Sequence, residues 1–209
     1  MSEFTDAIKA GDVARLSALL EIDPALPQSQ EEGVTPLLLS IYYGKSDVAR
    51  LLVERGAPVS FAEACALGDR DRVLRLLDED PSALHVRSAD GYPPLGLAIF
   101  FRHPDIARLL IERGADVHAA AENAQRVAPV HAAAAVCDHA TMRLLLERGA
   151  DPNARQQADF TPMHGAASRG DVQMAELLLE FGATMDVPAV AEAARSHGHP
   201  EFVEWMEAR

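Results

Sequence analysis

The sequence predicts an all-α solenoid of about seven helix-turn-helix units, the two end units being degenerate caps, and three observations carry that prediction. One is a tail motif that occurs four times: Arg55-Gly56-Ala57, Arg113-Gly114-Ala115, Arg148-Gly149-Ala150 and Phe181-Gly182-Ala183. Another is the Leu-rich stretch before each tail, from Leu51-Leu52-Val53-Glu54 to Leu177-Leu178-Leu179-Glu180. The third is phase. Gly56, Gly114, Gly149 and Gly182 stand 58, 35 and 33 residues apart, and Pro36, Pro94, Pro129 and Pro162 keep the same three steps. Landmarks at opposite ends of a unit hold identical offsets only when the whole unit repeats. Units of this size cannot bury their apolar faces alone and must stack.

The elements follow in order. Asp6 to Leu16 reads as a starting unit without a Thr-Pro entry, and it is in register because Gly11 and Gly44 are 33 residues apart. Thr35-Pro36-Leu37-Leu38 opens the second unit. The 58-residue step conceals a third unit that has lost about eight residues, Phe61 to Gly68 followed by Val73 to Leu77. Its first helix begins almost directly after Gly56-Ala57-Pro58, so the connection before it has no room for a projecting finger. Pro93-Pro94-Leu95-Gly96 opens the fourth unit and Ala128-Pro129-Val130-His131 the fifth. The step of 35 places two extra residues in the finger around Ala121 to Arg126. In the sixth unit Thr161 is an N-cap, and Pro162 sits where its missing N–H costs nothing. Gly170 breaks that first helix, Val172 to Glu180 forms the second, and Gly182 ends it in the left-handed conformation. Ala189 to Met206 is the closing unit. The expected units are 1–29, 30–58, 59–86, 87–119, 120–154, 155–187 and 188–209, together one domain over 1–209.

These marks resemble the ankyrin repeat, with its Thr-Pro-Leu-His start, two antiparallel helices and Gly-Ala-Asp end, over nearly the whole chain. The resemblance implies that first helices and hairpin fingers line a concave groove while second helices form the convex back. It also implies that His131 and His164, at the Thr-Pro-Leu-His position, tie neighbouring loops together rather than bind metal. Groove positions then fall on Tyr42, Tyr43, Leu67, Phe100, Phe101, Val136 and Arg169, with Tyr92 and Phe160 just before the Thr-Pro position. Of one Trp, three Tyr and seven Phe, six rings occupy these places. Interface anchors are aromatic because a ring buries much area at small rotamer cost. The same rings have a second reading, as internal filling where the third unit lacks its finger.

Composition narrows the function classes. With 48% hydrophobic but only 5% aromatic residues, the interior must be built from Leu, Val and Ala. A net charge of −13 repels phosphate backbones and anionic surfaces, so neither nucleic acid nor membrane is an expected partner. The expected partner is a protein or peptide, with basic charge at its rim facing fingertip acids Glu31, Glu32, Asp90 and Asp159. Two cysteines set two units apart, Cys65 and Cys137, favour a reducing, cytoplasmic setting. The opening residues show no signal peptide, and no run approaches the ~18 apolar residues of a membrane span. No phosphate loop, dinucleotide fingerprint, zinc helix or nucleophile elbow occurs. His197-Gly198-His199 is far short of the roughly four ligands that zinc takes. No cofactor, metal or catalytic residue is therefore expected. The chain reads as a monomeric, non-enzymatic interaction module, with self-association through the same groove open. The alternatives are an enzyme or small-molecule binder using a pocket at the shortened third unit, and a regulatory or chaperone-like partner of a specific client.

Overall fold

The computed structural model describes residues 3–30 and 34–209, so the acids at Glu31 and Glu32 lie outside the described residues. Among those residues fourteen α-helices pack in consecutive pairs. They are α1 (Glu3–Ala10) with α2 (Val13–Ile22), α3 (Pro36–Tyr42) with α4 (Ser46–Glu54), and α5 (Phe61–Leu67) with α6 (Arg70–Glu79). After these come α7 (Pro94–Phe100) with α8 (Pro104–Glu112) and α9 (Pro129–Val136) with α10 (His139–Glu147). The last pairs are α11 (Pro162–Ser168) with α12 (Val172–Glu180) and α13 (Val187–Ser196) with α14 (Pro200–Glu207). The odd-numbered helices contact one another in sequence from α1 to α13 and form one row; even-numbered helices stand behind them. This is the helical solenoid that the spacing predicts.

Short, thin first helices make the row possible. Ala98, Ala133, Ala134, Ala166 and Ala167 are wholly or almost wholly buried where these helices meet. Asp12, Asp69, Asp138 and Asp171 start second helices by accepting a hydrogen bond from the backbone N–H three residues on, satisfying donors with no helical partner. His131 links two pairs. The Ala128 N–H donates to its Nδ1 at 3.1 Å, so the ring proton sits on Nε2 and is donated to the carbonyls of Ala154 and Phe160 at 2.9 and 3.2 Å. His164 uses its Nδ1 likewise for the Thr161 N–H at 3.2 Å, and its ring stacks on Phe160 with centroids 4.7 Å apart. In α5 the corresponding position is Glu63, only 3% exposed. Its carboxylate accepts from the Ser60 N–H at 2.8 Å and from the Thr35 hydroxyl, joining the caps of α3 and α5.

Fingers project from connections 80–93, 113–128 and 148–161, and backbone bonds tie them edge to edge. The Glu122 N–H donates to the Gly91 carbonyl and the Gln157 N–H to that of Gln125, both at 2.9 Å. Connection 55–60 joins α4 to α5 in six residues with no finger, as the shortened repeat requires. At this place the apolar core divides in two. Ala62 and Ala66 of α5 belong to the N-terminal cluster with Ile8, Leu16, Leu37 and Leu52. Phe61, Ala64 and Cys65 of the same helix belong to the cluster that continues to Phe202 and Met206.

Two expected outcomes follow from this packing. A Cβ on Gly68 would lie 2.5 Å from the His103 ring, which is held by a 3.0 Å bond to the Ala66 carbonyl, and φ there is +76°. Gly56, at φ +87°, has nothing within 4 Å. Gly56→Ala should therefore cost about 1 kcal/mol from left-handed strain alone, and Gly68→Ala about 2–4 kcal/mol, compared by urea unfolding. Burial also holds the His131 imidazole below its ordinary pKa, outweighing its backbone hydrogen bonds, and His164 is displaced the same way by burial. Below the ordinary histidine value of about 6.5 the unfolded chain binds more protons than the folded one, so stability is complete above that pH and falls as pH drops. His131→Gln should lower stability at pH 7.5 by about 1–3 kcal/mol and flatten the fall between about pH 6.5 and 5. Urea titrations at several pH values measure both.

Candidate functional site

Four of the six rings, Tyr42, Tyr43, Phe100 and Phe101, gather at the ends of two first helices, and Phe160 lies further along the row against His164. Thr35 caps α3, and seven residues later the helix ends with Tyr42, with Tyr43 at its C-cap before Gly44 at φ +63°. Helix α7 repeats this ending with Phe100, Phe101 and then Arg102 at φ +63°. Alanine-rich α5 lies between them and carries Leu67 at its last position. The aromatic pairs therefore close over it. Tyr42 and Phe101 have centroids 5.6 Å apart, and Phe100 meets Phe101 edge-on at 5.3 Å. With no finger from connection 55–60 in the way, the Tyr42 hydroxyl donates to the carboxylate of Asp90, forty-eight residues on in the first full finger. Burial first, and the Asp90 carboxylate second, push the phenol far above its usual pKa, so it stays protonated as a donor.

Exposure sorts the expected site residues. Tyr42, Tyr43 and Phe100 are 36%, 49% and 49% exposed. Leu67, Tyr92 and Phe101 are half-buried and pack on the N-terminal cluster. Phe160 is half-buried and Arg169 exposed. At the ends of α3 and α7 the rings fill the gap left by the missing finger on one side, and Tyr42, Tyr43 and Phe100 keep surface in solvent. Lys9 Nζ lies 5.8 Å from the Tyr43 centroid, at the limit of a cation–π contact. Val136 is the correction. It holds the position that Phe101 holds one pair earlier, but its short side chain lies within the C-terminal cluster at 7% exposure. It is a packing residue. The fingertip acids are also engaged: Asp90 takes hydrogen bonds from Tyr42 and Ser88, and Asp159 pairs with Arg155 at 3.2 Å.

The row carries a recess of about 360 Å³ further along, between α9, α11 and the end of α13. Its lining includes apolar Ala134, Ala135, Phe160 and Pro162 and polar Gln156, Ser168, Arg169 and His197. Ser168 Oγ is sealed from solvent with no hydrogen-bond partner among the described residues. Small side chains, Ala135 and Gly165, stand where earlier pairs carry rings or aliphatics, and they open this volume. A second cleft, about 500 Å³, opens at the core division and is floored by Ile41, Ala49, Val53, Ala66, Leu67 and Phe101. Its rim is Lys45, Arg50, Glu54, Asp69 and His103, the last already bonded to Ala66. It supplies shape without an assembled acid–base pair.

The histidines and cysteines that resemble reaction centres are tied into the fold. His139 Nε2 donates to the carboxylate of Asp171 at 2.9 Å, across two pairs, while Asp171 caps α12. Cys137 stands beside them in a left-handed turn at φ +57°, in a glycine's place. Burial first, then Asp171, pushes its thiol pKa up, which leaves the poorly nucleophilic protonated form. Cys65 is fully buried, its thiol also raised by burial, and both cysteines are free. His197 Nδ1 is held by the Ala193 carbonyl at 2.9 Å, and His199 packs on Gly170 and reaches Glu201 at 3.1 Å. Among the described residues no three His, Cys, Asp or Glu form a group able to hold a metal ion, and no helix is long and apolar enough to cross a membrane.

Sequence reasoning missed Glu63, although Ser60-x-x-Glu63 is a readable capping-box signature. It also missed the Tyr42–Asp90 bond and the recess, for which no local signal exists. Tyr42→Phe should cost about 1–3 kcal/mol, the range for a hydrogen bond to a charged group. Tyr92→Phe, whose hydroxyl has no such acceptor among the described residues, should cost under about 1 kcal/mol. Parallel urea melts decide this.

The family model for ankyrin repeats in three copies matches residues 61–156 and 130–207, and that for a single ankyrin repeat matches 32–64. Among curated proteins, a putative ankyrin repeat-containing protein of Treponema pallidum (strain Nichols) is 36% identical over 115 residues, 53% of this chain and 38% of that protein. Human BCL-6 corepressor-like protein 1 is 34% identical over 125 residues, 59% of this chain and 7% of its own length. Human ankyrin repeat domain-containing protein 13C is 35% identical over 81 residues, 34% of this chain and 15% of that protein. The chain thus spans well under half the length of these relatives.

Proposed function

The chain belongs to the ankyrin-repeat family, and from that premise we propose that it is a non-enzymatic array that holds a protein or peptide segment along its first-helix row. Ankyrin repeats are in general protein–protein interaction modules, and this reading applies that role to the face where the rings gather. The observation that carries it is the group Tyr42, Tyr43, Phe100 and Phe101, kept partly in solvent at the ends of two first helices. Adjacent large rings on one face supply the desolvated anchors that dominate binding energy. The net charge of −13 favours a guest with basic flanks, drawn in by the summed field. Two free, poorly reactive cysteines suit a monomer working in the cytoplasm. The seven-unit division over 1–209 belongs to the same proposal.

Capture of the partner from the native cell, identified by mass spectrometry, tests it when run with two variants. Phe100→Ala removes an exposed ring and should weaken capture at least about tenfold while changing stability by under about 1 kcal/mol. Phe101→Ala should cost stability as well, about 2 kcal/mol or more, because that ring also packs on the core. Undiminished capture by Phe100→Ala and by Tyr43→Ala would place the partner elsewhere.

A further inference from the structure

The recess between α9, α11 and α13 is chemically unlike the rest of the chain. The protein has 32 acidic residues, yet no Asp or Glu lines it. Nine of the seventeen arginines pair with carboxylates among the described residues, and eight, Arg169 among them, do not. Arg169, exposed on the rim, has no ion pair among the described residues. His197, also in the lining, donates its Nδ1–H to the Ala193 carbonyl, which leaves Nε2 as an acceptor in the neutral ring. Ser168 lies in the lining, but its Oγ is sealed from solvent and offers the recess no accessible hydroxyl. The apolar part of the lining is Phe160, Pro162, Ala134 and Ala135.

We propose that this recess receives the C-terminal residue of the guest chain, its free carboxylate on Arg169 and its apolar side chain against Phe160 and Pro162. A guanidinium binds a carboxylate through two parallel N–H donors, and the resulting charge-assisted bonds are about twice as strong as neutral ones. The terminal residue is the peptide element that carries a carboxylate and an apolar side chain on one carbon, which matches a lining that combines one cation with apolar side chains. An Asp or Glu side chain places its carboxylate at the tip of a stem and has nothing for those apolar side chains. The volume of about 360 Å³ suits a single residue. This inference rests on the first-helix row being the docking face and adds the direction in which the guest lies: its end at α9–α13, its preceding residues toward the rings of α7 and α3.

Three small probes test it by ¹⁵N NMR titration of the full chain: N-acetyl-leucine, N-acetyl-leucinamide and the α-amide of N-acetylglutamate. N-acetyl-leucine should bind with Kd on the order of millimolar and shift the amides of Gly165, Ser168 and Arg169, and the other two should bind at least about tenfold more weakly. Arg169→Ala should lose at least about tenfold, whereas Arg108→Ala, which removes an equal charge from the exposed side of α8, should bind like the parent. Equal binding of leucinamide would overturn the carboxylate, and equal binding of the glutamate amide would overturn the chain end. No shift at about 20 mM N-acetyl-leucine would overturn the site itself. Phe100→Ala should still take N-acetyl-leucine, so failure of the ring patch as a docking face and failure of this recess give different patterns.

Discussion

Everything in this solenoid depends on how closely successive first helices approach. A helix pair of this size has too little interior to be stable alone, so its apolar face must be covered by the next pair. Alanines and glycines at the contacts permit that approach, as the fully buried Ala98, Ala133, Ala166 and Ala167 show. The same closeness lets one side chain serve two pairs. His131 caps its own helix and holds the following loop, while Glu63 does the equivalent backward to Thr35. Such groups are buried with their polar atoms satisfied, the condition under which a polar group in a core costs little.

The shortened third repeat shows what happens when one term in this periodic arrangement is removed. Without a finger at connection 55–60 the edge-to-edge ribbon of fingers is interrupted, and aromatic side chains take over the bridging. Tyr42 reaches Asp90, and Phe101 lies against Tyr42. Rings held this way have one edge in the protein and the other in water. In the proposed complex, pre-organisation of that kind would lower the entropy lost on binding. A deletion in the repeat and a concentration of half-exposed rings are thus two aspects of one structural event. Further along the row, where side chains shrink to Ala135 and Gly165, the face turns from ridge to recess and from apolar to cationic. The groove is chemically graded from one end to the other.

Much of this was legible in the residues. Period, phase, helix starts at Thr-Pro, breaks at glycine and the finger-less connection follow from local rules, because capping and left-handed turns involve residues a few positions apart. The second helix Val172–Glu180 and the hidden helix Phe61–Leu67 stand where the pattern put them. Side-chain exposure was less legible. Tyr43 and Val136 hold equivalent positions by register, yet one ring is half in solvent and the other side chain is core. The difference is set by side-chain length and by the neighbouring pairs, neither of which the repeat pattern encodes.

The sequence by itself determined the architecture and its interruption, since both are written in spacings along the chain. It also determined the chemical bias: an acidic surface, an aliphatic interior and rings at a few positions. Only the tertiary structure decided which groups meet across distant pairs: Tyr42 with Asp90, His139 with Asp171, Glu63 with Thr35, and the acid-free recess around Arg169. The physical reason is that backbone preferences are local, whereas these contacts depend on the rise and rotation accumulated between stacked units. A residue's number does not give that sum until the units are in place.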